Sequence, residues 1–376
     1  MKIRSAICII LCLSITALMP LTCFSANVSG GLSLSARSAI LIEGEEREVL
    51  YEKNGRERLP MASTTKIMTA LVAAELLELD ALISIPREAV GVEGSSIYLC
   101  EGEVLTVEQL LYALLLESAN DAATALAVCA AGSVEDFAKK CNEKAKELNL
   151  KDTNFTNPHG LYDEEHYTTA YDLAQIAAHA LKDPKIRKIT ATKRATIPLR
   201  ATQSNLIGEG VRYLKNHNKM LSLYEGAIGV KTGFTKKSGR CLVSAAERDG
   251  LTLIAVTLNA PDDWRDHAAM LDLGFDNYES KTIYEAGEFC YDFPLSNGAS
   301  EYARAVNLSP IRTVVPKGKT EYTQSVESHF RFAIAPVAEG QILGRVTVVI
   351  NGKTLSSTLI CAESIDAKYK KRSFFD

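Results

Sequence analysis

No metal-binding or redox framework can be read in these 376 residues. Nine cysteines are present, but none stands in a CxxC pair or at the spacing of zinc ligands. Six remain beyond the first 26 residues: Cys100, Cys129, Cys141, Cys241, Cys290 and Cys361. A body of this size has no need of disulfide staples, so most of the six are expected as buried, inert thiols. Basic excess is missing as well. The formal net charge is −4, and a mildly acidic chain argues against nucleic acid as a partner. Long apolar runs are scarce. The nearest approach, Ala6 to Leu21, is broken by Ser14, Thr16 and Pro20 and lies between Met1-Lys2-Ile3-Arg4 and the small-residue exit Thr22 to Ala26. That pattern disfavours a retained membrane span and reads as a secretory signal over residues 1–26. The mature protein is therefore expected outside the cytoplasm, in the cell envelope or secreted. No internal repeat appears at the periods that mark solenoids.

What is present organises itself around Pro60-Met61-Ala62-Ser63-Thr64-Thr65-Lys66, followed by the apolar, helix-favouring run Ile67 to Leu77. If the chain enters a helix near Ala62, Ser63 and Lys66 project from one face, one turn apart. A serine hydroxyl is a poor nucleophile unless a base takes its proton. Lys66 can be that base only as a neutral amine, which requires burial or a second cation nearby. The bland alternative is a helix-start serine and a solvated lysine, and Ser-x-x-Lys alone should arise about twice by chance in such a chain.

Before this segment, Ser38 to Tyr51 reads as a β-hairpin turning at Gly44. After it, Val90 to Glu103 lacks periodicity. Thr106-Val107-Glu108-Gln109 is a capping box opening an apolar, buried helix through Leu116. Asp121 can cap a further alanine-rich helix, and Ser133 to Asp136 is a second capping box opening a helix over Phe137 to Leu150. Asn154 to Tyr167 is turn-rich, a helix follows near Ala170 to Leu181, and Ala191 to Leu206 suggests exposed strands. His159, within Pro158-His159-Gly160, reads as part of a structural turn. Ile228 to Thr235 has strand character. Cys241 to Ala246 and Leu251 to Leu258 form a hairpin about Asp249-Gly250, and Asp262 to Phe275 reads as a helix covering the sheet. Strands at both ends of this region with helices between them imply one sheet assembled from both, with helices on its faces. From about Ile283 to Ile360, short β-rich runs suggest a small all-β module.

Three stretches carry the chemistry: Ser63-Thr64-Thr65-Lys66, Ser118-Ala119-Asn120 and Lys231-Thr232-Gly233. Each alone is weak; Ser118 and Asn120 could merely break and cap helices, and Lys231 could be a surface lysine on an edge strand. In this order they are the motif set of β-lactamases and penicillin-binding proteins. With Met61 to Glu75, Leu110 to Ala123, Asn157 to Leu161 and Gly229 to Ala246, the chain resembles the D-alanyl-D-alanine carboxypeptidases, the low-molecular-mass penicillin-binding proteins. Ile228, where that family often has an acidic residue, and the short C-terminus depart from the pattern.

The resemblance implies an α+β fold: a β-lactamase/transpeptidase-like catalytic domain over residues 27–279, an antiparallel sheet with helices on its faces, then a small all-β domain over 280–361 and a basic, aromatic tail over 362–376. It implies a serine-type carboxypeptidase that removes the terminal D-alanine of a peptidoglycan stem pentapeptide through an acyl-enzyme on Ser63 and is inhibited covalently by β-lactams. Lys66 would be the base, Ser118 a proton relay, and Asn120 a positioning group. Lys231, Thr232 and Thr235 would bind the terminal carboxylate, and the amides of Ser63 and Phe234, beside Gly233, would form the oxyanion hole. No metal or cofactor is called for. Two alternatives stay open. A serine β-lactamase of class A needs a Glu-x-x-x-Asn base, and Glu164 and Glu165 have no asparagine four residues on. A catalytically inactive peptidoglycan-binding scaffold would typically lack one of the motif residues. The tail offers only weak membrane-surface contact.

Overall fold

The computed structural model describes residues 32–199, 210–319, 321–328 and 330–368. The expected signal, the end of the stretch read as strand to Leu206, and residues 369–376 of the tail lie outside the described residues. Strands β1 (Ser38–Glu43) and β2 (Val49–Lys53) form the expected hairpin. Its turn is closed by the Glu43 carboxylate, which accepts from the amides of Glu45 and Glu46. A 3-10 turn, Ala62–Thr65, runs directly into α1 (Lys66–Leu76). Short strands β3 (Leu82–Ser84) and β4 (Val104–Thr106) pair antiparallel. The Thr106/Gln109 capping box then starts α2 (Val107–Leu116), whose residues are buried nearly all round, as its composition predicts.

The next helix corrects one expectation. Helix α3 (Asn120–Ala131) has Ala119 at its cap position, and Asp121 lies inside the first turn, where its carboxylate accepts from the Ala122 amide. Ser118, at φ 62°, turns the chain sharply enough for the helix to start early. That leaves the buried Asp121 carboxylate free to accept from the amides of Ile97 and Leu99 and the hydroxyl of Ser96. Helices α4 (Val134–Glu147), capped by Ser133, and α5 (Ala170–Ala180) follow. Helix α6 (Pro184–Ala191) was not foreseen, although Asp183 as cap and proline at the first helical position are a start signal. It shortens the strand expected from Ala191, which begins instead as β5 (Arg194–Leu199), paired with β6 (Gly210–Lys215). A short α7 (Met220–Leu223) leads to β7 (Ala227–Thr235), β8 (Gly239–Arg248), β9 (Leu251–Leu258) and α8 (Asp263–Asn277).

The central sheet has the order β2-β1-β9-β8-β7, antiparallel throughout, and so joins the first strands of the domain to its last. Period-two alternation divides its faces. Ile40, Ile42, Val243, Ile254 and Val256 pack with α1, α2, α3 and α5, while Ala39, Leu41, Leu242, Leu253 and Ala255 pack against Met270, Leu271 and Phe275 of α8. Beyond α8 the described residues hold an all-β region with its own core, including Phe293, Ala303, Val346, Val348 and Leu359. Lys353 ties it to the β1–β2 hairpin: its ammonium meets the carboxylates of Glu46 and Glu48, the hydroxyl of Thr313 and the carbonyl of Val314. The chain is thus α+β, with a helix-covered antiparallel sheet and a C-terminal β domain. The cysteine expectation holds for half its members: Cys141, Cys241 and Cys361 are buried, Cys100 is partly exposed, and Cys129 and Cys290 reach the surface.

Candidate active site

Serine, threonine and threonine occupy one 3-10 turn, and local hydrogen bonds sort them. Thr64 Oγ1 donates to Met61 O, and Thr65 Oγ1 donates to Ala62 O and contacts His166 Nε2 at 2.7 Å. Ser63 alone is left beside the lysine, its Oγ 3.0 Å from Lys66 Nζ. Lys66 is 0% exposed, and its amine donates to Asn120 Oδ1 at 2.7 Å and to His159 O at 2.6 Å. Asn120 is fixed from behind, Nδ2 donating to Glu93 O and its own amide to Ser95 O. The Pro158-His159-Gly160 turn is structural, as read, but it delivers the His159 carbonyl to the amine. Gly160 makes this approach possible: at φ +86° it comes so close to the nucleophile turn that a Cβ would lie 1.9 Å from Ala62 O. The His159 ring is held neutral, its pKa lowered to about 3 by burial and then by the Lys66 charge.

Burial pushes Lys66 well below its ordinary pKa, the Lys231 charge pushes further, and Asp121 opposes both. The second cation demanded by Ser-x-x-Lys chemistry is therefore in place. Lys231 is itself 1% exposed and lowered to about 7 by burial, with Glu117 opposing, and its ammonium donates to Thr232 O at 2.9 Å.

Strand β7 is the edge of the sheet and one wall of the site. Gly233 faces the nucleophile turn, where a Cβ would stand 3.1 Å from Met61 O, Ser63 N and Thr64 N. A side chain here would press strand and turn apart by a few tenths of an ångström. Ser63, Ser118, Thr232, Gly233 and Phe234 line one cavity of about 370 Å³. The Thr235 hydroxyl exchanges hydrogen bonds with the amide and hydroxyl of Ser238 at the β7–β8 turn. Glu164 and Glu165 are exposed.

Residues 24–262 match the family model described as D-alanyl-D-alanine carboxypeptidase. The chain belongs to that family. Residues 278–367 match the model described as the C-terminal domain of penicillin-binding protein 5. The D-alanyl-D-alanine carboxypeptidase DacF of Bacillus subtilis is 35% identical over 341 residues, covering 88% of this chain and 86% of its own. Among solved structures, penicillin binding protein 5 from Haemophilus influenzae superposes with a TM-score of 0.70 at 27% identity, over 89% of this chain and 99% of that one. A peptidoglycan synthesis regulatory factor, PBP3, from Streptococcus pneumoniae gives 0.72 at 26% identity, over 89% and 100%.

In this carboxypeptidase the cavity also holds residues that the motifs do not name. His217 lines it, with Nε2 3.3 Å from Glu117 Oε2, and burial followed by the Lys231 charge lowers the pKa of its ring. Arg240, Asp263 and Trp264 form its outer rim. Arg240 was findable: counting back across the β7–β8 hairpin places it opposite Phe234. Asp263 and Trp264 needed the sheet to be assembled first.

Proposed function

We propose that this serine-type D-alanyl-D-alanine carboxypeptidase acts through Ser63, with Lys66 as general base, on peptidoglycan stem peptides ending in D-alanyl-D-alanine. The observation that carries this is the 3.0 Å approach of Ser63 Oγ to a fully buried lysine amine. A neutral amine has two N–H groups and one lone pair. Asn120 Oδ1 and His159 O take the two donors, so the lone pair is left for the Ser63 hydroxyl proton. Ser63 Oγ then bonds to the carbonyl carbon of the penultimate D-alanine. The amides of Ser63 and Phe234 would meet the oxyanion, a role supported for Ser63 N by its closeness to Gly233, the neighbour of Phe234. The proton passes from Lys66 through Ser118 to the departing amine, the C–N bond breaks, and D-alanine leaves. Water, deprotonated by the same amine, attacks the ester and restores Ser63. Lys231 and Thr232 attract the terminal carboxylate, and Lys231 also keeps Lys66 neutral.

The test is release of D-alanine from a pentapeptide together with labelling by a fluorescent penicillin. Ser63→Ala is expected to lose both, because Thr64 and Thr65 are committed to local bonds. Labelling that survives this change would sink the assignment. A protein that stays dark even as wild type would be a scaffold, and rapid turnover of the penicillin would mark a β-lactamase. The second reading lacks support from the carboxylates, since Glu164 and Glu165 are solvent-exposed.

Export through residues 1–26 and action at the outer face of the cytoplasmic membrane belong to the same proposal. Lys368, Lys370, Lys371 and Arg372, with Tyr369, Phe374 and Phe375, would give the tail loose, salt-sensitive contact worth about 1 kcal/mol per cation at an anionic surface. Vesicle co-sedimentation with and without residues 362–376 checks this. Binding that resists high salt, or that ignores the deletion, would refute it.

A further inference from the structure

Against the nucleophile turn lies a histidine that the catalytic scheme does not use. His166 is buried and bridges two segments of the site. Its Nδ1 lies 3.0 Å from the Thr156 amide, at the start of the loop that carries the His159 carbonyl to Lys66, and its Nε2 lies 2.7 Å from Thr65 Oγ1. These partners fix the proton of the ring. A backbone N–H can only donate, so Nδ1 is the acceptor and Nε2 carries the hydrogen. The Thr65 hydroxyl receives that hydrogen and donates its own to Ala62 O at 2.7 Å. The relay of donors therefore ends on the residue before Ser63. Ala62 needs the restraint: it holds φ 47°, a conformation that L residues rarely adopt, and its carbonyl packs against Gly160. Burial keeps the ring neutral, lowering its pKa to about 4, with Asp163 opposing and the Lys66 charge adding to the shift. Phe155 packs against it edge to face, ring centroids 5.8 Å apart.

We propose that His166 is a positioning residue for Ser63: through Thr65 it locks the left-handed Ala62 that aims the nucleophile, and through Thr156 it ties the same turn to the loop that presents the His159 carbonyl to Lys66. The proposal rests on the reading of Ser63 as the nucleophile. Acylation needs the serine hydroxyl and the lysine lone pair in register, and the amine is oriented in part by His159 O. An imidazole has no internal freedom between its two nitrogens. It therefore acts as a rigid spacer between the turn that holds the hydroxyl and the loop that orients the amine. Held neutral, it offers the acceptor that Thr156 needs and the donor that Thr65 needs; a second ring proton would set Nδ1–H against the Thr156 N–H. The ionisable groups that act on it are Asp163, Lys66 and His159.

The experiment uses the whole protein and reads the rate at which a penicillin acylates it. His166→Phe keeps an aromatic ring and loses both hydrogen bonds, so acylation should slow roughly 10- to 100-fold, the scale for a small misplacement of reacting groups. His166→Gln can return an N–H to Thr65 and should recover most of that loss. In the wild type, nitrogen NMR of the ring between pH 6 and 8 should show the proton on Nε2 throughout. A wild-type rate in the phenylalanine variant, or equal slowing in both variants, would mean that the ring only fills space and would overturn the proposal. A proton found on Nδ1 would overturn it too, even if neither variant folds. Penicillin labelling of the wild type separates the two levels of failure. If the wild type is labelled and the variants behave in either of those ways, the role of His166 alone is wrong; if the wild type takes no penicillin, the reading of Ser63 has failed and this proposal falls with it.

Discussion

A lysine amine among oxygen atoms ordinarily keeps its proton; Lys66 holds it more weakly because burial, and then the charge of Lys231, push its pKa down. Lys66→Ala should therefore cost about 10²- to 10⁴-fold in the acylation rate by penicillin, the usual scale of a general base, with the fold intact. Loss of less than this would leave another group as the base. Lys231 gives a second measurement. Its folded pKa of about 7 lies below the ordinary lysine value of 10.5, so between those limits the unfolded chain binds more protons than the folded one. The stability it contributes must rise with pH across that window. In urea titrations from pH 7 to 10, wild type should gain on Lys231→Met by a few kcal/mol, the variant being the more stable at the acid end. A flat difference would mean that Lys231 titrates as an ordinary surface lysine. At this scale the sequence was legible where the motif side chains meet: Ser63, Ser118 and Thr232 line one cavity, and the Lys66 amine contacts both Ser63 and Asn120. It was not legible for His159, which contributes a carbonyl that every residue type possesses, or for Asp121, whose partners are amides of a distant loop.

Among the elements, the contact between β7 and the 3-10 turn decides whether the site is assembled. A Cβ on Gly233 would need Met61 O, Ser63 N and Thr64 N each to yield by a few tenths of an ångström. Gly233→Ala is expected to lower acylation about 10²-fold, as small misplacements of reacting groups do, with little change in thermal stability. Unchanged acylation would show that turn and strand can part without loss. The strands were the easiest elements to foresee, because Ile40 and Ile42 alternate with Ala39 and Leu41 and each pair has its own partner layer. Helix α6 escaped because its amphipathic stretch is short and the β-branched residues after it set the local impression, although Asp183-Pro184 announces its start. The all-β character of the C-terminal region was readable from its turns; the non-sequential order of its strands was not, since that depends on pairings between distant segments.

Across the whole molecule, Lys353 is one of the contacts through which the two regions hold each other, half-buried between Glu46 and Glu48, with Arg312 reaching Glu45 of the same hairpin. Lys353→Ala strands two carboxylates and should lower the melting temperature by roughly 2–4 °C per kcal/mol lost, while penicillin labelling proceeds at the wild-type rate. Labelling that fell in step with stability would mean that the β domain supports the catalytic groups directly. The central sheet has a different kind of consequence. Its inner strand β1 is made near the start of the chain, yet one of its two neighbours, β9, ends only at Leu258, and Lys231 also comes late, whereas Ser63 and Asn120 come early. Such long-range pairing closes slowly and only after most of the domain has emerged. A chain made or delivered from its N-terminus thus carries its nucleophile for most of its length without the strand that arms it. The order of residues is thus expected to act as a timer, an unfinished molecule failing to acylate until the last strands close the sheet.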